Sequence, residues 1–451
     1  MYLKRKVYEK FMDWKENTSQ TTLEVEGARQ VGKTYLINKF ADENFKHKIY
    51  VNLFEMNGAN FMECFRKGTS WTPGTPRPEQ PLHDVFRLYD PDFVDAEDTV
   101  IIIDEIQESA DIYNRIREFT RYFKARFIVT GSYLGRVYDK EFRYSSGDVT
   151  SVTIYTLSFE EFLEAYDCTL YEQYLHIKDA DENEDVHGRL RAAYGIYCQI
   201  GGYPKVVQAF LETKDMEKAR EEIVRIIRTF TSESVRYFKD ILDEDIFRQI
   251  FLSICRMLNR EKKGLNESSA SEELQKLVTR TYSSNLSKET CNRAIKWLHS
   301  SGILGYCAKI TEMDILDFIL LRRIYFMDMG LANYYFRLAG TDERVLKGLL
   351  NETYVYINLV KRQQFPQEIA FETPAFATYR GGKIDFIVKS MRTGILYALE
   401  VKSGKGSAVT GQKALEHGKV NRLLLLKGDT KGGTVGKVET VPIYYLEQYK
   451  F

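Results

Sequence analysis

Apolar and polar residues alternate over Thr22-Leu-Glu-Val-Glu26, the period-two pattern of a short strand, and the run enters a glycine-rich turn. Lys33 to Phe40 then reads as a helix, and Ile49-Tyr-Val-Asn-Leu53 as a second strand. Thr99 to Ile103 is a continuous apolar run ending in two acids, as expected of a strand covered on both faces. A helical pattern over Tyr113 to Tyr122 leads to a strand at Arg126–Thr130. Strands alternating with helices predict a parallel sheet and an α/β core. Five of the nine prolines fall between Pro73 and Pro91, which marks a loop or an insertion. From Phe159 to about Phe251 the period is helical, broken by the acidic stretch Asp179–Asp185 and the turn Gly201-Gly-Tyr-Pro204. Residues 246–330 suggest a small helical unit ending in strands. Strands return at Ile384–Val388, Leu396–Val401, Leu423–Leu426 and Val441–Tyr445.

A length of 451 residues suggests about three domains. The 44% hydrophobic and 28% charged composition is that of a globular chain and argues against disorder. No run approaches 18 apolar residues, so no membrane helix is expected. Six cysteines without a C-x-x-C pair, together with a charged N-terminus, argue against a disulfide framework and point to the cytoplasm. Net charge is zero, but Val345 to Phe451 carries 16 basic against 9 acidic residues. Such a basic segment suits an anionic polymer.

Gly27-Ala28-Arg29-Gln30-Val31-Gly32-Lys33-Thr34 satisfies G-x-x-x-x-G-K-[ST] between a predicted strand and a predicted helix. Its glycines let backbone amides curl around phosphates at a helix N-terminus. Lys33 would reach the β- and γ-phosphates of ATP, and Thr34 would ligate Mg²⁺. The strand ending in Asp104-Glu105 supplies the second half of such a site. Asp104 would hold Mg²⁺ through water, and Glu105 would polarise the attacking water. Ser132 or Thr130, at the end of the next strand, could touch the γ-phosphate.

Glu26 to Thr34, Ile101-Ile-Ile-Asp-Glu-Ile-Gln107, Val129-Thr-Gly-Ser132, Leu157-Ser-Phe-Glu-Glu-Phe162 and Gly201-Gly-Tyr-Pro204 together resemble a prokaryotic group of AAA-superfamily ATPases with a conserved C-terminal domain. The resemblance covers nearly the whole chain. It implies ATP and Mg²⁺ as cofactors. Members of the group often carry a Gly-Arg pair before the Leu-Ser-Phe string, where this chain has Ser146-Gly147-Asp148. Arg136, Arg143 and Arg236 are then the alternative finger arginines.

Glu272–Val278 and Ser287–His299 read as two helices followed by a hairpin, in the order of a winged helix. Lys288, Arg293 and Lys296 could face phosphates, whereas Trp297 and Leu298 suit a core. Further on, Asp385 on one strand and Glu400 and Lys402 on the next are placed to share a face. Two carboxylates and a lysine there could bind Mg²⁺ and orient a water. The D…E-x-K layout resembles the restriction-endonuclease-like nucleases. That resemblance implies Glu352, on a preceding helix, as a further metal-ligating acid and Gln412 as a polar site residue.

The expected architecture is therefore α/β in four parts. These are a P-loop AAA core at 1–160, a helical lid at 161–244, a winged-helix-like domain at 245–335 and a restriction-endonuclease-like domain at 345–451. The expected function is ATP hydrolysis coupled to action on DNA, with Asp385, Glu400 and Lys402 catalytic. DNA and further copies of the chain are the candidate partners. The alternative is a nucleotide-switched regulator or scaffold that binds without cleaving.

Overall fold

Every residue of β3 (Thr99–Asp104) is buried, which requires cover on both faces of its sheet. The computed structural model supplies that cover, describing residues 2–17, 19–70, 79–131, 141–143, 146–176, 184–237, 245–262, 276, 288–364, 368–371, 373–403 and 408–451. The chain forms two compact units, Arg5–Tyr155 and Thr156–Phe451 with Met1–Lys4.

In the first unit β1 (Thr22–Glu26), β2 (His47–Asn52), β3, β4 (Arg126–Thr130) and β5 (Val149–Thr153) form an all-parallel sheet in the order β2-β3-β4-β1-β5. One face is packed by an aromatic cluster in which Phe119 stacks on Phe127 at 4.6 Å and Phe86 meets Phe123 edge-on. The helix expected at 113–122 is divided into Ala110–Tyr113 and Ile116–Tyr122. Asp148, where the resembled group often has arginine, is buried and receives Arg121 Nε at 2.9 Å. Its carbonyl also takes the Thr22 amide at 2.9 Å, so this position serves the sheet.

The second unit begins with helices. Leu157-Ser-Phe-Glu-Glu-Phe162 starts the helix Phe159–Tyr166 through a capping box in which Ser158 and Glu161 satisfy one another's backbone amides. The next two amides, of Phe159 and Glu160, donate to Glu447 at 2.9 and 3.1 Å. That string is thus a helix start whose orphan donors are all used. The Gly201-Gly202 turn is equally specified by contacts. A Cβ on Gly201, whose φ is +73°, would lie 2.3 Å from Asp328 Oδ1, and one on Gly202 would lie 2.2 Å from the Leu157 carbonyl. Buried Asp328 takes the Gly202 amide at 2.8 Å and caps the helix Met329–Leu338 through the Leu331 amide.

An eight-stranded mixed sheet completes this unit. Its strands are β6 (Leu304–Ile310), β7 (Phe318–Phe326), β8 (Ala375–Tyr379), β9 (Gly382–Lys389), β10 (Leu396–Lys402), β11 (Arg422–Lys427), β12 (Gly433–Val435) and β13 (Val438–Pro442). They lie in the order β12-β13-β11-β10-β9-β8-β6-β7. The hairpin expected to be the wing of a separate domain at 245–335 is instead an edge of this sheet, because β6 pairs in parallel with β8 from Ala308↔Ala375 onward. The boundary placed between 335 and 345 therefore runs through one shared sheet. Glu272–Val278, the first helix of the expected helix-turn-helix, lies outside the described residues except for position 276. The second is found as Lys288–Ser300, with Trp297 and Leu298 in the core and Arg293 and Lys296 exposed. The strand expected at 441–445 stops at Pro442, and a 3₁₀ helix follows over Ile443–Gln448. Among the described residues no helix is long and apolar enough to cross a membrane.

Candidate functional site

The turn from β1 into the helix Lys33–Asn44 needs left-handed backbone at Gly27, Gln30 and Gly32, with φ of +141°, +64° and +91°. A Cβ on Gly27 would also sit 2.2 Å from the Ile154 carbonyl, so glycine is required twice over. Lys33 is buried, and its Nζ donates to the Gly27 and Ala28 carbonyls at 2.8 and 2.9 Å. The loop thus carries an ammonium at its mouth. Arg5 braces it from behind, donating to the Val31 carbonyl at 3.0 Å and the Tyr155 carbonyl at 2.5 Å.

Asp104 ends β3 beside this loop, and its Oδ2 accepts from Thr34 Oγ1 at 2.9 Å. These two side chains, 70 residues apart, are joined as a shared Mg²⁺ site would require. Tyr50 donates to the same Oδ2 at 2.9 Å. Burial pushes the Asp104 carboxyl above its usual range, while the Thr34 and Tyr50 hydroxyls pull it back. Glu105 has φ +53°, an uncommon conformation for a residue with a Cβ, and its carboxylate accepts from buried Gln107 Nε2. The loop amides, a lysine and two hard oxygen donors fit a nucleotide phosphate chain with Mg²⁺. Ser132 and Arg136 lie outside the described residues. Thr130 uses its hydroxyl on the Val25 carbonyl at 2.8 Å, and Arg143 is exposed.

Glu26, at the loop's entrance, was not among the expected site residues. Burial, with Glu24 adding to it, pushes its carboxyl up to about 7. Arg5 and Tyr50 were missed as well. Arg5 gives no local signal. Tyr50 shares a strand face with Asn52, which stands opposite Asp104, but only the β2–β3 register reveals this.

In the second unit β9 and β10 pair antiparallel from Leu396↔Lys389 to Leu399↔Phe386. One further step along that register sets Asp385 against Glu400. Asp385 Oδ2 takes the Val401 amide at 2.8 Å, which fixes the carboxylate at the strand edge. Lys402 Nζ lies 2.7 Å from Glu400 Oε2 and 3.7 Å from Asp385 Oδ2, so a cation already stands between the two acids. Glu400 is 2% exposed and also accepts the Gly411 amide at 3.2 Å. Burial first, then the Asp385 charge, pushes its carboxyl up to about 7. Burial opposes the charge on Lys402, but the two carboxylates outweigh it and hold its pKa above the usual value.

Glu352 is buried on the helix Glu343–Arg362 and receives Lys262; burial first, then the nearby Asp385 charge, pushes its carboxyl up, so it stands within electrostatic reach of the pair. Among the described residues no three acidic, histidine or cysteine side chains converge as a ready-made metal cage. The oxygen donors of Asp385 and Glu400 suit a hard divalent cation, and the lysine between them marks where one would sit. Gln412 lies on the helix Val409–Glu416, which also supplies the Gly411 amide.

Residues 19–163 match the family described as "AAA domain", and residues 191–342 match a domain of unknown function, DUF8612. The chain matches no curated protein. Among solved structures it is similar to the Walker-type ATPase of Pyrococcus abyssi, at 13% identity over 74% of this chain and 96% of that one, with a TM-score of 0.44. It is also similar to the Aeropyrum pernix ORC1 protein in complex with DNA, at 13% identity over 77% and 92% of the two chains, with a TM-score of 0.29. A third is the Thermotoga maritima RuvB Holliday junction branch migration motor, at 12% identity over 70% and 92%, with a TM-score of 0.27.

Proposed function

We propose that this chain, whose first unit carries a nucleotide-binding AAA domain, hydrolyses ATP there and acts on DNA through its second unit. The observation that carries the ATPase reading is the Thr34–Asp104 contact at 2.9 Å, set directly beside the Lys33 loop. ATP supplies an activated γ-phosphoryl group. The Gly27–Gly32 amides would cradle its phosphates, Lys33 would leave its own loop carbonyls for the phosphate oxygens, and Thr34 and Asp104 would hold Mg²⁺. Glu105, placed one residue beyond the metal acid, polarises water. Lys33→Ala should abolish turnover and weaken binding strongly, whereas Glu105→Gln should keep binding and lose hydrolysis. Nucleotide titration and phosphate release decide between these outcomes, and wild-type turnover in Glu105→Gln would remove that role.

Asp385, Glu400 and Lys402 are the proposed Mg²⁺-dependent phosphodiester site. Their support is the cross-strand opposition of the two acids over one cation position. A specific observation favours the second reading, a nucleotide-switched regulator or scaffold. Lys402 already bridges the two acids, and Glu352 is paired with a second lysine, Lys262. Metal-dependent cleavage of plasmid DNA separates the two.

A further inference from the structure

We propose that Lys262 is a built-in counter-ion of the C-terminal carboxylate cluster that competes with a divalent cation for Glu352. This rests on the reading that the cluster takes such a cation. Lys262 ends the helix Asp245–Lys262, far in sequence from the β9–β10 edge and outside the motif that suggested the site. Its Nζ donates to Glu352 Oε1 from 90 residues away. Asp385 attracts it and Lys402 repels it through space, so it belongs to the same charge cluster. Gly348, one helical turn before Glu352, lies beside it. A Cβ there would lie 3.4 Å from Lys262 Cε, 3.9 Å from its Nζ and 3.9 Å from Ser403 Oγ. The Lys262 ammonium and the hydroxyl of Ser403, which follows Lys402, thus both lie beside the Glu352 helix at Gly348.

The neighbouring residue makes the assignment specific. Glu261 is the partner of Arg323, at 2.6 Å, with Lys383 at 3.9 Å. That guanidinium is buried over the Phe376 ring at 3.8 Å and is committed to Glu261 and the sheet. Lys262, on a flexible stem, is the cation in direct contact with Glu352, and a lysine ammonium gives way more readily than a bidentate guanidinium. A divalent ion drawn to Asp385 and Glu400 competes with Lys262 for the Glu352 carboxylate. The side chain of Lys262 is already 33% exposed, so on release from Glu352 its ammonium can turn to solvent while the metal takes over the buried carboxylate.

Isothermal titration of the full chain with Mn²⁺, without nucleotide, tests this with Lys262→Met and Lys262→Arg beside the wild type. Removing the competing charge should tighten Mn²⁺ binding by about tenfold or more, and arginine should weaken it. The arginine arm keeps the test decisive if the methionine variant fails to fold. Equal affinity in all three proteins would overturn the role of Lys262 and leave the divalent-cation reading standing. Binding by Lys262→Met but not by the wild type would support Lys262 as the resident cation and confine that reading to the variant. No binding by any of the three would overturn both.

Discussion

Glu400→Gln tests the electrostatics of the C-terminal cluster directly. Burial and the facing Asp385 move the Glu400 carboxyl from 4.5 to about 7. The folded chain therefore keeps a proton that the unfolded chain releases. In that window the native state binds more protons, so stability falls as pH rises from 4.5 to about 7. At 1.36 kcal/mol per pK unit, the shift corresponds to at most ~3 kcal/mol. Glutamine has no proton to lose but keeps an oxygen for the Gly411 amide. Denaturant unfolding followed by far-UV circular dichroism should show the wild type losing stability across this window relative to Glu400→Gln. Glu26 titrates in the same range, so the difference between the two proteins is the quantity to read. A divalent ion needs the ionised carboxylate, so wild-type Mn²⁺ affinity should fall by up to about tenfold per pH unit below 7. Superimposable pH profiles for wild type and variant would refute the reasoning.

Three further outcomes are expected. Tyr50→Phe removes one of two hydroxyls from Asp104 Oδ2, at a cost of about 0.5–1.5 kcal/mol, and should weaken Mg²⁺-dependent ATP binding about two- to tenfold in a Mg²⁺ titration. Gly201→Ala places a Cβ 2.3 Å from Asp328 Oδ1 at φ +73°, and should cost ~2 kcal/mol or more, read as a lowered thermal midpoint. Replacing exposed Arg293 and Lys296 together by alanine should weaken DNA binding and reduce its salt slope by about 2, as measured by filter binding at several ionic strengths; an unchanged slope would leave that helix as scaffold.

Local sequence determined the elements whose cause is itself local. β1 and β4 fall where alternation and apolar runs place them, and the phosphate loop follows from glycines at positions that need left-handed backbone. Asp385 and Glu400 could be paired because a short turn makes neighbours of consecutive strands and antiparallel register is then simple counting. Tertiary structure alone decided the rest. The 304–326 hairpin belongs to the C-terminal sheet because an edge strand must satisfy its backbone groups somewhere, and β8 offers them. Arg5 behind the phosphate loop, Tyr50 on Asp104, Asp328 under the Gly201 turn and Lys262 on Glu352 are all contacts between distant segments. Each exists because a buried carbonyl, amide or charge must find a partner, and no local pattern says which distant residue will supply it.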